Sequence, residues 1–152
     1  MAYINVSAPT SQAILQISTA SIASTSSGYV VPALQDITIN NAVGVFQWQQ
    51  LDEFSNKTVP TPANNSIAGN FVIDSTSFFT GSNGVAGLFD LSNDATLVYF
   101  RVYFEGRVTA GKKYISGQGY ITNLAPTVNP GAPVWVSPIT LSVDGDITAG
   151  TV

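Results

Sequence analysis

A mainly β domain with a single α-helix is what the sequence predicts. Val, Ile, Thr, Tyr and Phe fall in short runs separated by Gly, Pro, Asn and Ser, the pattern of strands and turns. In residues 97–105 Val98, Phe100, Val102 and Phe104 alternate with Leu97, Tyr99, Arg101, Tyr103 and Glu105, the period of two that a strand requires. Helical spacing occurs in one stretch, residues 82–94, where Val85, Leu88 and Phe89 form an apolar stripe. With 152 residues and 45% apolar content, the chain can bury a core as a single domain, 1–152, and no linker divides it.

The first runs are residues 12–18, 28–34 and 37–40, with the polar residues 19–27 between the first two as a loop. Residues 43–50 read as a half-buried strand, with Phe46 and Trp48 on one face and Val45, Gln47 and Gln49 on the other. Residues 54–70 then carry Pro60, Pro62 and several turn-forming residues, which leaves little room for a ladder. A loop this long in a compact domain usually has a task. A hairpin arm with residues 67–74 as its returning strand would suit docking on a neighbour.

Residues 71–74 form a short strand, and Ser82 or Asn83 can cap the helix that follows. In the strand at 97–105, Val98, Phe100, Val102 and Phe104 are the core face. Tyrosines interleaved with one Arg on the other face, Tyr99, Arg101 and Tyr103, are typical of a surface that meets another protein. Residues 108–113 are a turn around Gly111. In the strand at 114–124, Gly117 and Gly119 share a face with Ile115 and Ile121, which marks a bend or the close approach of another backbone. Residues 125–133 read as a loop, 134–138 lead into a strand at 139–143, and Asp144-Gly145-Asp146 is a turn before a short polar end.

Composition removes whole classes of function. Charged residues are only 9% of the chain and the net charge is −4, so the surface is weakly defended against association. The five basic residues, Lys57, Arg101, Arg107, Lys112 and Lys113, are too scattered to neutralise a row of phosphates, and tight nucleic-acid binding is not expected. Cysteine and histidine are both absent, which removes disulfides, thiolate nucleophiles, common zinc sites and the usual general base. No apolar run approaches the ~20 residues needed to span a bilayer. The start, Met1 to Asn5, lacks the basic and apolar regions of an export signal. The sequons at Asn5, Asn56 and Asn64 are therefore not expected to be glycosylated.

No catalytic constellation emerges. Asp52 and Glu53 are neighbours that would face opposite ways on a strand. Asp144 and Asp146 lack the spaced ligands and closing Glu of a calcium loop. Gly117-Gln118-Gly119 has no third glycine, and Gly81-Ser82-Asn83-Gly84 has no histidine partner. The aromatics Phe46, Trp48, Tyr99, Tyr103, Tyr114, Tyr120 and Trp135 could stack sugars or bases, but core and interface roles account for most such residues. No catalytic residue, metal or cofactor is expected.

The order of elements is itself informative: N-terminal strands, the Pro/Asn-rich excursion at 54–70, Phe71-Val72-Ile73-Asp74, a helix of the type Val-Ala-Gly-Leu-Phe-Asp-Leu, a long aromatic strand, a Gly-containing strand, and a final Ile-Thr-Leu-Ser-Val-Asp-Gly-Asp-Ile-Thr. This order resembles the major tail tube proteins of tailed bacteriophages, and the resemblance covers most of the chain. It implies a β-sandwich or partial barrel with one flanking α-helix, in a homo-oligomer of six-fold rings whose inner sheets join into one β-barrel. Stacked rings would form the tube that delivers DNA, located in the virion tail after assembly in the host cytoplasm. Other tail proteins, among them a sheath, tape measure, terminator or baseplate, are the implied partners. DNA would pass without tight binding, and no membrane insertion is implied. The matching loop would bridge subunits through Lys57, Thr58, Val59, Pro60, Thr61, Pro62, Ala63, Asn64 and Asn65, alongside the strand face of Tyr99, Arg101 and Tyr103. Two alternatives remain open on the residues: another virion β-protein, such as a tail terminator or head decoration protein, and a carbohydrate-binding β-sandwich.

Overall fold

The computed structural model describes residues 13–31, 34–52, 54–62, 64–106 and 110–152. Residues 1–5, Gln12, Glu53, Ala63, Arg107 and Val108, on which expectations above fall, lie outside the described residues. In chain order the elements are β1 (Ile14–Ser18), β2 (Tyr29–Val30), β3 (Leu34–Asn40), β4 (Gly44–Trp48), β5 (Lys57–Thr61), β6 (Ser66–Val72), a π-helical turn (Thr76–Thr80), α1 (Leu88–Asn93), β7 (Val98–Tyr103), β8 (Lys113–Leu124), β9 (Thr127–Asn129), β10 (Ala132–Val143) and β11 (Thr148–Thr151).

The protein is mainly β, with one large open sheet and one short α-helix. Among the described residues nine strands form the sheet, in the order β2-β1-β7-β8-β10-β6-β3, with β11 beside β8 and β9 beside β10; β4 and β5 pair separately. Every pairing is antiparallel. The long strand β8 joins the two halves of the sheet. Its first half pairs with β7 and β11, and its second half with β10, so that Gly119 pairs with both Val98 and Val143.

Side chains from both halves meet in one cluster: Leu15, Ile17, Val98, Phe100 and Val102 from one, Ile67, Phe71, Ile139 and Leu141 from the other, with Leu88 and Leu91 of α1. The alternation in β7 places Val98, Phe100 and Val102 in the core as expected, whereas Phe104 lies beyond the end of the strand and is only half-buried. The two glycines of β8 mark close approaches. A Cβ at Gly117 would lie 2.9 Å from the Phe100 ring, and one at Gly119 would lie 2.2 Å from the Ser142 carbonyl oxygen.

The helix is shorter than its periodicity suggests. Ser82 and Val85 exchange backbone hydrogen bonds of 3.0 Å around Asn83 and Gly84, which have φ values of 53° and 77°. Asn-Gly is the pair best suited to a two-residue turn with positive φ at both centres, so it makes a tight hairpin where a helix cap was expected. Val85 is still buried, but α1 starts only at Leu88, with Gly87 as its N-cap. The stretch at 125–133, expected to be loop, forms β9 and the beginning of β10 around Pro130 and Gly131. Pro138 is accommodated inside β10 because the ladder to β8 begins one residue later, at Ile139 paired with Leu124.

Few buried polar groups interrupt this core, and those present have partners. The Tyr29 hydroxyl donates to the Ala86 carbonyl at 3.2 Å. Burial, with the Asp74 carboxylate as a second cause, pushes the Tyr29 phenol above its ordinary value and keeps it a neutral donor. Phe100 has no exposed surface, so Phe100→Ala is expected to destabilise the subunit by ~3–5 kcal/mol. Chemical denaturation checks this through the midpoint at constant slope.

Candidate assembly surfaces

The excursion at 54–70 is largely strand. Residues 41–65 leave the sheet after Asn40 and return at Ser66, two residues that are themselves paired between β3 and β6. Between them β4 and β5 form an antiparallel ribbon, Gly44 opposite Thr61 through Trp48 opposite Lys57. The returning strand of this arm is therefore β5, while β6 is an interior strand between β3 and β10. Pro60 sits in the ladder opposite Val45. A two-stranded ribbon consists of edges, and an edge position whose N–H would point outward accepts proline without losing a bond. Pro62 lies just beyond the strand, and Asn64 is exposed beside it.

The arm presents apolar surface on both faces. Phe46 is 60% exposed and Trp48 37%, with Val45, Val59, Leu51 and Phe54 also exposed. The alternating pattern at 43–50 correctly indicates a strand, but neither face is buried in the subunit. Phe46 and Trp48 stack at 5.9 Å with an interplanar angle of 24°. Lys57 donates to Gln50 Oε1 at 2.8 Å, closing the ribbon where it turns. Asn65 belongs to the sheet rather than the arm: it is buried, its Oδ1 accepts from the Ala42 N–H at 3.1 Å and its carbonyl from the Val143 N–H at 3.0 Å. These bonds fix the base of the arm to β10.

On β7 the predicted contact face is largely occupied by the subunit itself. Tyr103 has no exposed surface, and its hydroxyl donates to Gln16 Oε1 at 2.7 Å. Gln16, also buried, donates from Nε2 to the carbonyls of Thr25 and Ser27, which holds residues 19–27 against β1. Arg101 donates to the Ile22 carbonyl on the same loop and lies 4.4 Å over the Tyr114 ring. Tyr99 is half-buried. The strand alternation could not reveal this cover, because residues 19–27 are polar and look like a solvated loop until Gln16 and Arg101 gather their carbonyls.

A third surface escaped the sequence reading. On the face of the sheet away from the core, Thr38 lies beside Ala68 and Ala68 beside Thr140, while Asn40, Ser66, Ser142 and Tyr120 follow one another across four strands. Asp36 accepts from the Asn70 backbone N–H at 3.1 Å and side-chain amide at 2.8 Å. Asp36 is the one charged residue in β3, β6, β10 and residues 120–124 of β8. The signal was present as polar positions alternating with Ile37, Ile39, Ile67, Ile139 and Leu141, but the strand order that aligns them was not.

Among the described residues, no group of three or more carboxylates could hold a metal ion. The backbone N–H of Asp144 donates to the Gln118 carbonyl at 2.8 Å, and Gly145 has a φ of 89°, so this acidic segment is a turn tied to β8. No helix among the described residues is long and apolar enough to cross a membrane.

A structure of the SPP1 tail tube superposes with a TM-score of 0.66 at 14% identity, covering 95% of this chain and 79% of that one. The fold is that of tail tube subunits. A chain of the sheath-tube complex of PVC, an extracellular contractile injection system, covers 95% of this chain and 91% of its own at a TM-score of 0.63 and 12% identity. A chain from the tail of a gene transfer agent particle, refined with C6 symmetry, gives 0.62 at 12% identity over 88% and 93% of the two chains. No protein-family model and no curated protein matches the chain. At these identities the tail-tube fold is shared while the side chains have diverged, so the residues that serve assembly are argued from this chain alone.

The Gln16 network makes a local prediction within the tail-tube fold. Tyr103→Phe leaves the buried Gln16 carbonyl oxygen without its tyrosine donor, at an expected cost of about 1–3 kcal/mol. Thermal unfolding of the variant against the parent measures it.

Proposed function

We propose that the chain is a structural subunit that polymerises as stacked hexameric rings into a phage tail tube, the conduit for DNA delivery, with no catalytic step. The observation that carries this reading is an open sheet with an unburied aromatic arm, on a fold shared with chains of tail and injection tubes. The strand order ends at β2 and β3, and residues 120–124 of β8 run beyond its pairing with β7, next to Ser92 of α1. Pairing β3 of one subunit with residues 120–124 of the next would join the sheets around a ring. The gene transfer agent tail has C6 symmetry, which supports six as the number of subunits per ring. The single domain, its arm between Ala42 and Asn65 and a place in the virion tail belong to the same reading.

Such a ring places the polar face of Thr38, Asn40, Ser66, Thr140 and Ser142 toward the channel. Hydroxyls and amides with one carboxylate per subunit repel or ignore phosphates, so DNA slides without a cation to hold it. Sheath, terminator, tape-measure or baseplate proteins are the partners that such a tube requires. Exposed aromatics such as Phe46, Trp48 and Trp135 would also suit a sugar platform, but the fold shared with tube chains favours assembly.

Negative-stain microscopy of the purified protein tests the proposal directly: long tubes are expected, isolated rings would indicate a terminator, and monodisperse monomers would contradict it. Replacing residues 44–62 by a short turn while retaining Ala42 and Asn65 should leave a folded monomer that forms no tubes. Loss of the folded state would show that the arm belongs to the fold. Thr140→Lys should convert assembled tubes from weak to salt-sensitive DNA binders, with each added phosphate contact steepening the logarithmic salt dependence by ~0.9. An unchanged slope would place that face away from the DNA path.

A further inference from the structure

A hollow of about 160 Å³ lies beside α1, lined by Phe89, Ser92, Asn93, Leu124 and Pro126. That is the size of space that accepts one aromatic ring, since an apolar cavity of ~150 Å³ holds benzene. Its wall is apolar where Phe89, itself 49% exposed, continues into exposed Phe79 at a centroid distance of 6.5 Å. Asp90 and Asp94 are exposed on the same helix, and no Lys or Arg occurs in it.

The arm has the complementary surface. Phe46 and Trp48 project on one face with Val59 and Lys57 directly across from them. Among the described residues β4 and β5 pair only with each other, so this face is not buried in its own subunit.

We infer that the Phe46–Trp48 face of one copy's arm seats in the hollow beside α1 of a second copy, with Lys57 near Asp90 and Asp94. The inference rests on the tube reading and names the contact within it. Ring size, apolar lining and opposite charge all favour this occupant. Arm and hollow are different surfaces of one chain, so the contact is heterologous and each copy both gives and receives an arm. Such an interface propagates from copy to copy, as stacking of rings demands, whereas arm against arm would end at a dimer.

The absence of cysteine from the chain makes the test clean. Val59→Cys and Asn93→Cys chains are assembled separately and as a mixture, then oxidised with diamide. A disulfide-linked dimer on a non-reducing gel is expected from the mixture and from neither chain alone. Adding Trp48→Ala to the Val59→Cys chain should lower its yield about tenfold, as for a central interface aromatic. Tubes that form without this crosslink, or a Val59→Cys chain that dimerises by itself, would overturn the docking while leaving the tube reading intact. A parent chain that forms no tubes would overturn the tube reading itself, and this contact with it.

Discussion

The close packing permitted by two glycines in β8 is the constraint on which the rest of the structure depends. Gly117 lets the Phe100 ring lie against the strand, and Gly119 lets the Ser142 backbone approach where any Cβ would collide. Gly119 sits where β8 passes from its pairing with β7 to its pairing with β10, at the point where a Cβ would meet the Ser142 carbonyl. Glycine weakens a strand by its entropy and missing contacts, a cost offset here because one strand joins both halves of the sheet around one cluster. The aliphatic residues of β1, β7, β6 and β10 then become mutually buried, each contributing roughly 1.5–3 kcal/mol relative to exposure.

With the core complete, what remains outside it is unusually apolar. Phe46, Trp48, Leu51, Phe54, Phe89 and Trp135 are exposed, although charged residues make up only 9% of the chain. Apolar surface without a charged rim marks an interaction site or an aggregation hazard. The polar groups that accompany it, hydroxyls and amides rather than ions, lose little on desolvation when they find hydrogen-bond partners. Low charge and uncovered aromatics are both what the proposed role, a subunit whose surface is finished by its copies, requires. The arm is held at its base by Asn65, while Gln16 and Arg101 hold residues 19–27 against the sheet.

What could be read from the sequence and what could not divide along physical lines. Local periodicity determined that this is a β protein, that Val98, Phe100 and Val102 face the core, that Gly117 and Gly119 mark close approaches, and that a strand lies within residues 43–50, observed at Gly44–Trp48. These properties are set by neighbours along the chain and by the two-residue repeat of the backbone. Composition determined that thiol and imidazole chemistry is absent, and the order of elements pointed to the tail-tube fold.

The tertiary structure alone decided which strands lie beside one another, and with that which polar residues share a face. It turned the proline-bearing loop into a ribbon, because Pro60 is excluded from an interior ladder but not from an outward edge. It showed Asn83-Gly84 as a hairpin turn, Gln16 and Arg101 as holding residues 19–27 in their own subunit, and both faces of β4 as uncovered. Alternation reports that two faces differ; what covers each face depends on segments distant in sequence, and no local pattern carries that information.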